Sequence, residues 1–378
     1  MPKKYKIMTI MGTRPEIIRL SETIKAIDKK FDQIIVHTGQ NYDYELNEIF
    51  FKDLSLRKPD YFLNVVGNNL GETMGNIISK SYSLMNAVKP DAVLVLGDTN
   101  SCLSVISAKR HKIPIFHMEA GNRCWDQNVP EMTNRKIVDH TSDINMPYSH
   151  MAYFNLVHEG LPLDTLFITG SPIKEVLLAH QKEIDNSKVL DELHLEPHKY
   201  IVMSIHREEN VDNLDNLLEV FTSLNYVADY YKLPVIFSCH PRSKKRLEDA
   251  KFKFSPYIKI HKPFGFLDYG KLEKEAFLIL SDSGTITEES SILNVPSVLV
   301  RTSTERQEGV VNHVITISGR SKNGIMDSCK RAFLLHQDKH PKVPEYEVTD
   351  VSRKVCEIIE KYIPIVNKKV WLKKEWQQ

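Results

Sequence analysis

Short β-branched runs that are apolar at nearly every position alternate along this chain with longer, charged stretches of helical period. The first half carries YKIMTI, QIIVHT, AVLVLG and IPIFHM, and the second carries YIVMSI, PVIFS, FLILSD and PSVLVR. A strand with one face in water alternates apolar and polar residues, whereas a run apolar throughout is buried on both faces. The pattern therefore predicts an α/β fold of parallel sheets covered by helices on each side. The rhythm breaks at ITGSPIKEVL, around Gly170 to Pro172, and resumes at Tyr200 after a polar stretch. Two domains are expected, 1–172 and 173–350. A helical piece at about 351–378, interrupted by Pro364, is expected to cross back onto the first.

A length of 378 residues suffices for two full cores. Hydrophobic residues make up 42% and the net charge is +1, which gives no electrostatic ground for nucleic acid or an anionic membrane as partner. A small molecule is the expected ligand. The opening MPKKYKIMTIMG has too short an apolar stretch for a signal peptide, and no later run would span a bilayer. The five cysteines stand far apart without a CxxC pair, so free thiols and a cytoplasmic location are expected.

In doubly wound sheets, ligands bind beyond the carboxyl ends of the strands, so the residues directly after the apolar runs carry the information. After the first run comes GTRPEIIRLSETI, where Arg14 and Arg19 suit a phosphate as forked donors and Pro15 suits a first helical turn. A capped helix with solvated arginines explains the same residues, and the GxGxxG dinucleotide fingerprint is missing. LGDTNS brings Asp98, HMEAGNR brings Glu119, and VPEMTNRKIVDH brings Glu131, Asn134 and Arg135. Asp98 and Glu131 also suit helix starts, but three acids at neighbouring strand ends would converge on one crevice.

The second half answers with His206 and Arg207 in MSIHREEN, and with His240 and Arg242 in SCHPRSKKRL. HKPFGFLDYGKL offers Phe264, Phe266 and Tyr269 for stacking a base, or for core packing. In SDSGTITEES, Ser283 and Gly284 form a strand-to-helix turn suited to an anion. The two glutamates one turn later would repel that anion unless they hold another part of the ligand. A nucleotide sugar satisfies both halves, with diphosphate on the turn and ribose hydroxyls on a carboxylate. RTSTERQEGV adds Arg301, Glu305 and Arg306. The spacing of Asp98, His117, Glu119, Glu131 and His206 fits no metal pattern, and neither metal nor cofactor is expected.

Taken in order, MGTRPEIIRL, HTGQNYD, LGDTNS, HMEAGNR, PEMTNR, HREEN, SDSGTITEE and RTSTERQE resemble the non-hydrolysing UDP-N-acetylglucosamine 2-epimerase family. The resemblance implies two Rossmann-like domains facing a cleft, the GT-B form, and a homodimer acting on a UDP-N-acetylhexosamine. It implies that Asp98, Glu119 and Glu131 are acid–base carboxylates and that His206 lies near the departing diphosphate. By the same resemblance Arg14, Ser283 and Gly284 bind diphosphate and Glu289 binds ribose. Arg306 is a further polar contact, Phe266 and Tyr269 flank uracil, and Arg19 and Arg135 join the substrate ligands. Gln40 and Arg207 fall in motifs linked to an allosteric nucleotide-sugar site in some relatives.

One region departs from the commonest pattern. The stretch NRCWDQNVPEM is shorter than usual, Met132 replaces a glutamate, and HREEN puts Glu208 where a cation often sits. These features look like the branch that makes UDP-N-acetyl-L-fucosamine from its 6-deoxy-L-talose epimer for bacterial capsule or O-antigen. The alternatives are the plain interconversion of UDP-N-acetylglucosamine and UDP-N-acetylmannosamine, and a GT-B glycosyltransferase.

Overall fold

The fully apolar runs form the central strands of two parallel sheets in a computed structural model that describes residues 4–40, 44–239, 241–339 and 341–376. His240 and residues 41–43 of the HTGQNYD motif lie outside the described residues, as do the side chains of Glu208 and Arg242. The chain divides into two compact units, Met1–Ala179 with Val348–Gln378, and His180–Glu347.

In the first unit, β1 (Lys6–Met11), β2 (Asp32–His37), β3 (Tyr61–Phe62), β4 (Ala92–Leu96), β5 (Ile115–Met118) and β6 (Ile144–Met146) are ordered β3-β2-β1-β4-β5-β6. In the second, β7 (Ile201–Ser204), β8 (Val235–Ser238), β9 (Ile258–His261), β10 (Leu278–Ser281), β11 (Ser297–Leu299) and β12 (Thr316–Ile317) are ordered β12-β11-β10-β7-β8-β9. Neighbouring strands pair in parallel throughout, for example Thr9 with Leu94 and Ser281 with Ser204. Numbered within its own unit, each sheet has the strand order 3-2-1-4-5-6 of the Rossmann fold.

All five residues of β4 and all four of β10 are buried, as coverage on both faces demands. The strands that the run pattern did not single out are β3, β6, β9 and β12. These are the outermost strands of the two sheets, and apart from β6 they leave residues partly or fully open to solvent.

The helix Ile173–Ala179 packs on the long helix Arg14–Lys30, which keeps it in the first unit and moves the division past residue 172. The helix Val351–Lys369 packs on Arg14–Lys30 as well, through a buried stripe of Val351, Val355, Ile359, Ile363 and Val366. Pro364 sits inside this helix and does not end it. The carbonyl deprived of its helical donor is that of Glu360, an exposed residue, where water can replace the lost partner. None of the five cysteines forms a disulfide, and among the described residues no helix is long and apolar enough to cross a membrane.

Candidate active site

Each sheet reverses its order between two strands, β1 and β4 in the first unit and β7 and β10 in the second. Ligands of doubly wound sheets bind in the crevice that such a reversal opens at the carboxyl ends. The turns at those ends are Gly12–Arg14 and Gly97–Asp98 in one unit, and His206–Arg207 and Asp282–Gly284 in the other.

In the first unit, Asp98 follows Gly97, whose φ of +76° suits glycine. Its Oδ2 accepts from Arg135 Nε at 2.7 Å, and its carbonyl accepts from Asn134 Nδ2 at 2.9 Å. Both donors come from the helix Glu131–Thr141, so the turn carrying Asp98 is tied to the helix that Glu131 opens. Glu119, just beyond β5, has φ +62°, a left-handed backbone that costs a glutamate energy and that proteins tend to reserve for functional positions. Its carboxylate accepts from Arg19 Nη1 and from Asn122 Nδ2, the latter at 3.3 Å. A methyl built on Gly97 would lie 3.5 Å from Glu119 Oε2, which puts the two acid-bearing turns side by side.

Arg19 and Arg135, expected among the substrate ligands, are therefore buried partners of Glu119 and Asp98. Arg14 is only partly buried, its guanidinium 5.6 Å from the Phe50 ring centroid. Gln40 lies beside Gly12, where a methyl would come 3.0 Å from Gln40 Nε2 and 2.1 Å from Thr38 Oγ1. Glu16 escaped the sequence reading. Its buried carboxyl accepts from Gly12 N at 3.0 Å, from Thr13 Oγ1 at 2.8 Å and from Ser101 Oγ. It thus ties the exit of β1 to the loop after Asp98, and burial pushes its pKa up.

In the second unit the organising residue is Asp282, which sequence reading also missed. Fully buried, it accepts from the backbone N–H groups of His206 at 3.0 Å and Arg207 at 2.9 Å, and from Asn210 Nδ2 at 3.1 Å. The His206 ring remains 45% exposed above it, with Nδ1 3.4 Å from Asp282 Oδ1. Beside this turn, Ser283 Oγ and Thr285 Oγ1 are 2.8 Å apart. A methyl on Gly284 would stand 2.4 Å from Glu305 Oε1 and 2.6 Å from Arg306 Nη1, so the turn accepts no side chain there.

Behind Gly284 runs a buried ladder of charges. Arg306 donates from Nε to Glu288 at 2.9 Å and from Nη1 to Glu305 at 2.9 Å. Arg301 donates to Glu305 at 3.0 Å and to Glu209 at 2.9 Å. Arg306, expected as a ligand of sugar or phosphate, is held in this ladder, and Arg207 Nη2 lies 3.7 Å from Glu305.

Glu289, partly exposed, hydrogen-bonds the buried Glu273. Burial, and then the charge of Glu289, push the Glu273 carboxyl well above the usual carboxylate range, so Glu273 carries the shared proton. Tyr269 donates to Glu273 and accepts from Ser204, while Phe266 stands edge-on to His180 at 6.0 Å. Among the described residues no group of three or more His, Cys, Asp and Glu could hold a metal ion.

Carboxylates thus stand at one switch point, and a hydroxyl-bearing turn followed by the partly exposed Glu289 stands at the other. A family model described as UDP-N-acetylglucosamine 2-epimerase matches residues 25–360. The chain belongs to that family. A solved UDP-N-acetylglucosamine 2-epimerase from Rickettsia bellii is 44% identical, with a TM-score of 0.90 over 98% of this chain and 100% of that one. The UDP-N-acetylglucosamine 2-epimerase of Methanocaldococcus jannaschii is 36% identical over 354 residues, 90% of this chain and 94% of that one. A crystal structure of the same archaeal enzyme in complex with UDP-GlcNAc and UDP has a TM-score of 0.88 at 34% identity, over 94% of this chain and 99% of that one. The UDP-2,3-diacetamido-2,3-dideoxy-D-glucuronate 2-epimerase of Pseudomonas aeruginosa is 32% identical over 87% of this chain and 92% of its own length. MurG of Acinetobacter baumannii, at 13% identity and a TM-score of 0.52, shares the GT-B fold alone. The protein is thus an isomerase, a UDP-sugar 2-epimerase.

Proposed function

We propose that this epimerase converts UDP-2-acetamido-2,6-dideoxy-β-L-talose to UDP-N-acetyl-β-L-fucosamine, for a bacterial capsule or O-antigen. The observation that carries the chemistry is the adjacency of the Asp98 and Glu119 turns, with Glu131 opening the helix tied to Asp98. The proton on carbon 2 of an N-acetylhexosamine is not acidic. Departure of UDP from carbon 1 gives that carbon oxocarbenium character, and the carbon 2 proton then becomes removable. An ionised carboxylate takes it, a 2-acetamidoglycal stands beside UDP, and a second carboxyl group, protonated at the start, gives its proton to the opposite face before UDP adds back, after which both acids recover their starting states by proton exchange with solvent. Atoms balance over the cycle, and only the configuration at carbon 2 changes.

The departing diphosphate needs cations and N–H donors. We assign these to Arg14, His206, Ser283 and Gly284, with Glu289 on the ribose and Phe266 and Tyr269 toward uracil. Arg19, Arg135 and Arg306 set the carboxylates they bind. The choice of a 6-deoxy sugar is supported by the short segment before the helix Glu131–Thr141. There Met132 is 1% exposed, with its sulfur 3.3 Å from Arg135 Nη1. A less polar residue at this place suits a sugar without a 6-hydroxyl.

A second reading, interconversion of UDP-N-acetylglucosamine and UDP-N-acetylmannosamine, is favoured by the names of the archaeal and rickettsial relatives. Proton NMR in D2O with each UDP-sugar separates the two. Turnover of the talose compound, with deuterium entering carbon 2 and no net UDP release, supports the first. Turnover of the glucosamine compound alone selects the second, and no exchange in either rejects both. We further propose a homodimer, which light scattering would show as twice the chain mass.

A further inference from the structure

His117 lies in β5, two residues before Glu119, and is 1% exposed. Its Nε2 is 2.8 Å from the Gly97 carbonyl oxygen. Its Nδ1 is 3.0 Å from Asp139 Oδ1 and 3.2 Å from Asn145 Oδ1. The Asn145 amide is oriented by its own Nδ2, which donates to the Asp139 carbonyl at 2.9 Å. A carbonyl, a carboxylate and an amide oxygen offer no proton, so each ring nitrogen has to supply one.

Asp139, with no exposed surface, is the second half of the brace. Besides His117 it accepts from the Gly121 N–H at 3.2 Å and from Arg123 Nη2 at 2.7 Å. Arg123 in turn grips Glu159 through Nε at 2.7 Å and Nη2 at 2.6 Å, and Glu159 meets His140 Nε2 at 3.1 Å. Gly121, with φ +82°, has no alternative seat, because a methyl there would lie 2.2 Å from the Ala152 carbonyl oxygen. A continuous path therefore runs from the Gly97 carbonyl through His117 and Asp139 to the Gly121 amide. Gly97 directly precedes Asp98, and Gly121 stands two residues after Glu119.

We propose that His117 is a positioning residue for proton transfer at carbon 2, a buried imidazolium that clamps the turn of Asp98 to the turn of Glu119. The inference rests on the reading of those two acids as acid–base groups. Burial opposes a charge on His117, but the hydrogen bond and charge of Asp139, with the Gly97 and Asn145 oxygens, outweigh it and raise the imidazole pKa. The clamp touches no substrate in this account. Its effect is on alignment, where a displacement of about 1 Å is worth on the order of 10²-fold in rate.

Two measurements test it. Nitrogen-15 NMR of the labelled wild-type enzyme at neutral pH should show both His117 ring nitrogens bearing slowly exchanging protons, assigned by their loss in His117→Gln. A single ring N–H would overturn the proposal, and where the variant fails to fold the assignment is taken from through-space contacts of the ring protons in the wild-type enzyme. In kinetics, His117→Gln keeps a donor for Gly97 but loses the bridge to Asp139. Its kcat and its carbon 2 deuterium exchange should both fall on the order of 10²-fold, with KM and the Kd for UDP unchanged. Wild-type kcat in that variant, or a fall in UDP affinity matching the fall in rate, sinks the positioning role and leaves the reaction intact. A wild-type enzyme that exchanges no deuterium into either UDP-sugar sinks the reading of the acids, and the positioning role with it.

Discussion

Glu288 and Glu289 are adjacent in the chain and occupy opposite environments: Glu288, with no exposed surface, accepts from Arg306 Nε at 2.9 Å, while Glu289 stays partly exposed and shares a proton with Glu273. One glutamate supports the turn from behind and the other is open to a ligand. That division eases the repulsion two carboxylates would pose to the diphosphate we propose at this turn, because the inner charge is matched by an arginine.

The pair should therefore separate on mutation. Glu288→Ala leaves Arg306 partly unmatched in the interior and should cost about 3–5 kcal/mol of stability, read from urea unfolding. Glu289→Ala strips the buried Glu273 carboxyl of a partner and should cost less, about 1–3 kcal/mol of stability, and it should also lose a charge-assisted hydrogen bond to ribose of about 1.5–3 kcal/mol, read as weaker UDP binding by calorimetry. Equal effects of both changes on stability would contradict the division.

Asp98→Asn and Glu131→Gln each preserve shape and remove a proton acceptor. Each should lower kcat on the order of 10²–10⁴-fold while the Kd for UDP stays at the wild-type value. Full deuterium exchange in either variant removes that residue from the acid–base set.

Gly284→Ala places a methyl where Glu305 Oε1 and Arg306 Nη1 would be 2.4 and 2.6 Å away. Since neither partner is free to swing into solvent, the expected result is a loss of about 1–3 kcal/mol in stability. Weaker UDP binding should accompany it. Differential scanning calorimetry with and without UDP checks both parts.

His37 gives a pH signature. It is 1% exposed, its Nδ1 accepts from Gly39 N at 3.0 Å, and burial lowers its pKa to about 4. Below the unfolded value of about 6.5 the unfolded chain takes up a proton that the native imidazole refuses, so this group makes stability fall as pH drops toward 4. The loss across that window amounts to about 3 kcal/mol. Urea midpoints of wild type and His37→Gln should converge as pH is lowered from 7 to 4, and parallel curves would reject the assignment. His117, with its raised pKa, has the opposite sign. Its contribution is complete below about 6.5 and is lost as pH rises through the folded value.

The buried centre of each sheet was legible because a strand covered on both faces must be apolar at every position, as in β4 and β10. The outer strand β9 left no such mark, since Lys259 and Ile260 face solvent. The placement of Asp98 and Glu119 just beyond β4 and β5 was legible from the apolar runs before them. Their partners were not, because Arg19 reaches Glu119 across 100 residues of sequence and nothing local distinguishes a buried ion pair from a ligand arm. The bond from Arg306 to Glu288, 18 positions earlier, was hidden for the same reason. Asp282 passed unnoticed because its role is to accept backbone N–H groups 75 and 76 positions earlier, a relation that only the pairing of β7 with β10 creates.

The helix Val351–Lys369 lies on Arg14–Lys30 in the first unit. During synthesis that unit lacks Val355, Ile359 and Ile363 until the chain beyond residue 347 has left the ribosome, whereas His180–Glu347 is continuous and complete earlier. The unit His180–Glu347 can therefore close its core while the unit holding Arg14–Lys30 still waits for the helix Val351–Lys369, so the later-starting unit is the first to be complete. A truncation before residue 351 would strand the acid-bearing half with an open apolar flank, and the damage would fall at the opposite end of the sequence from the cut.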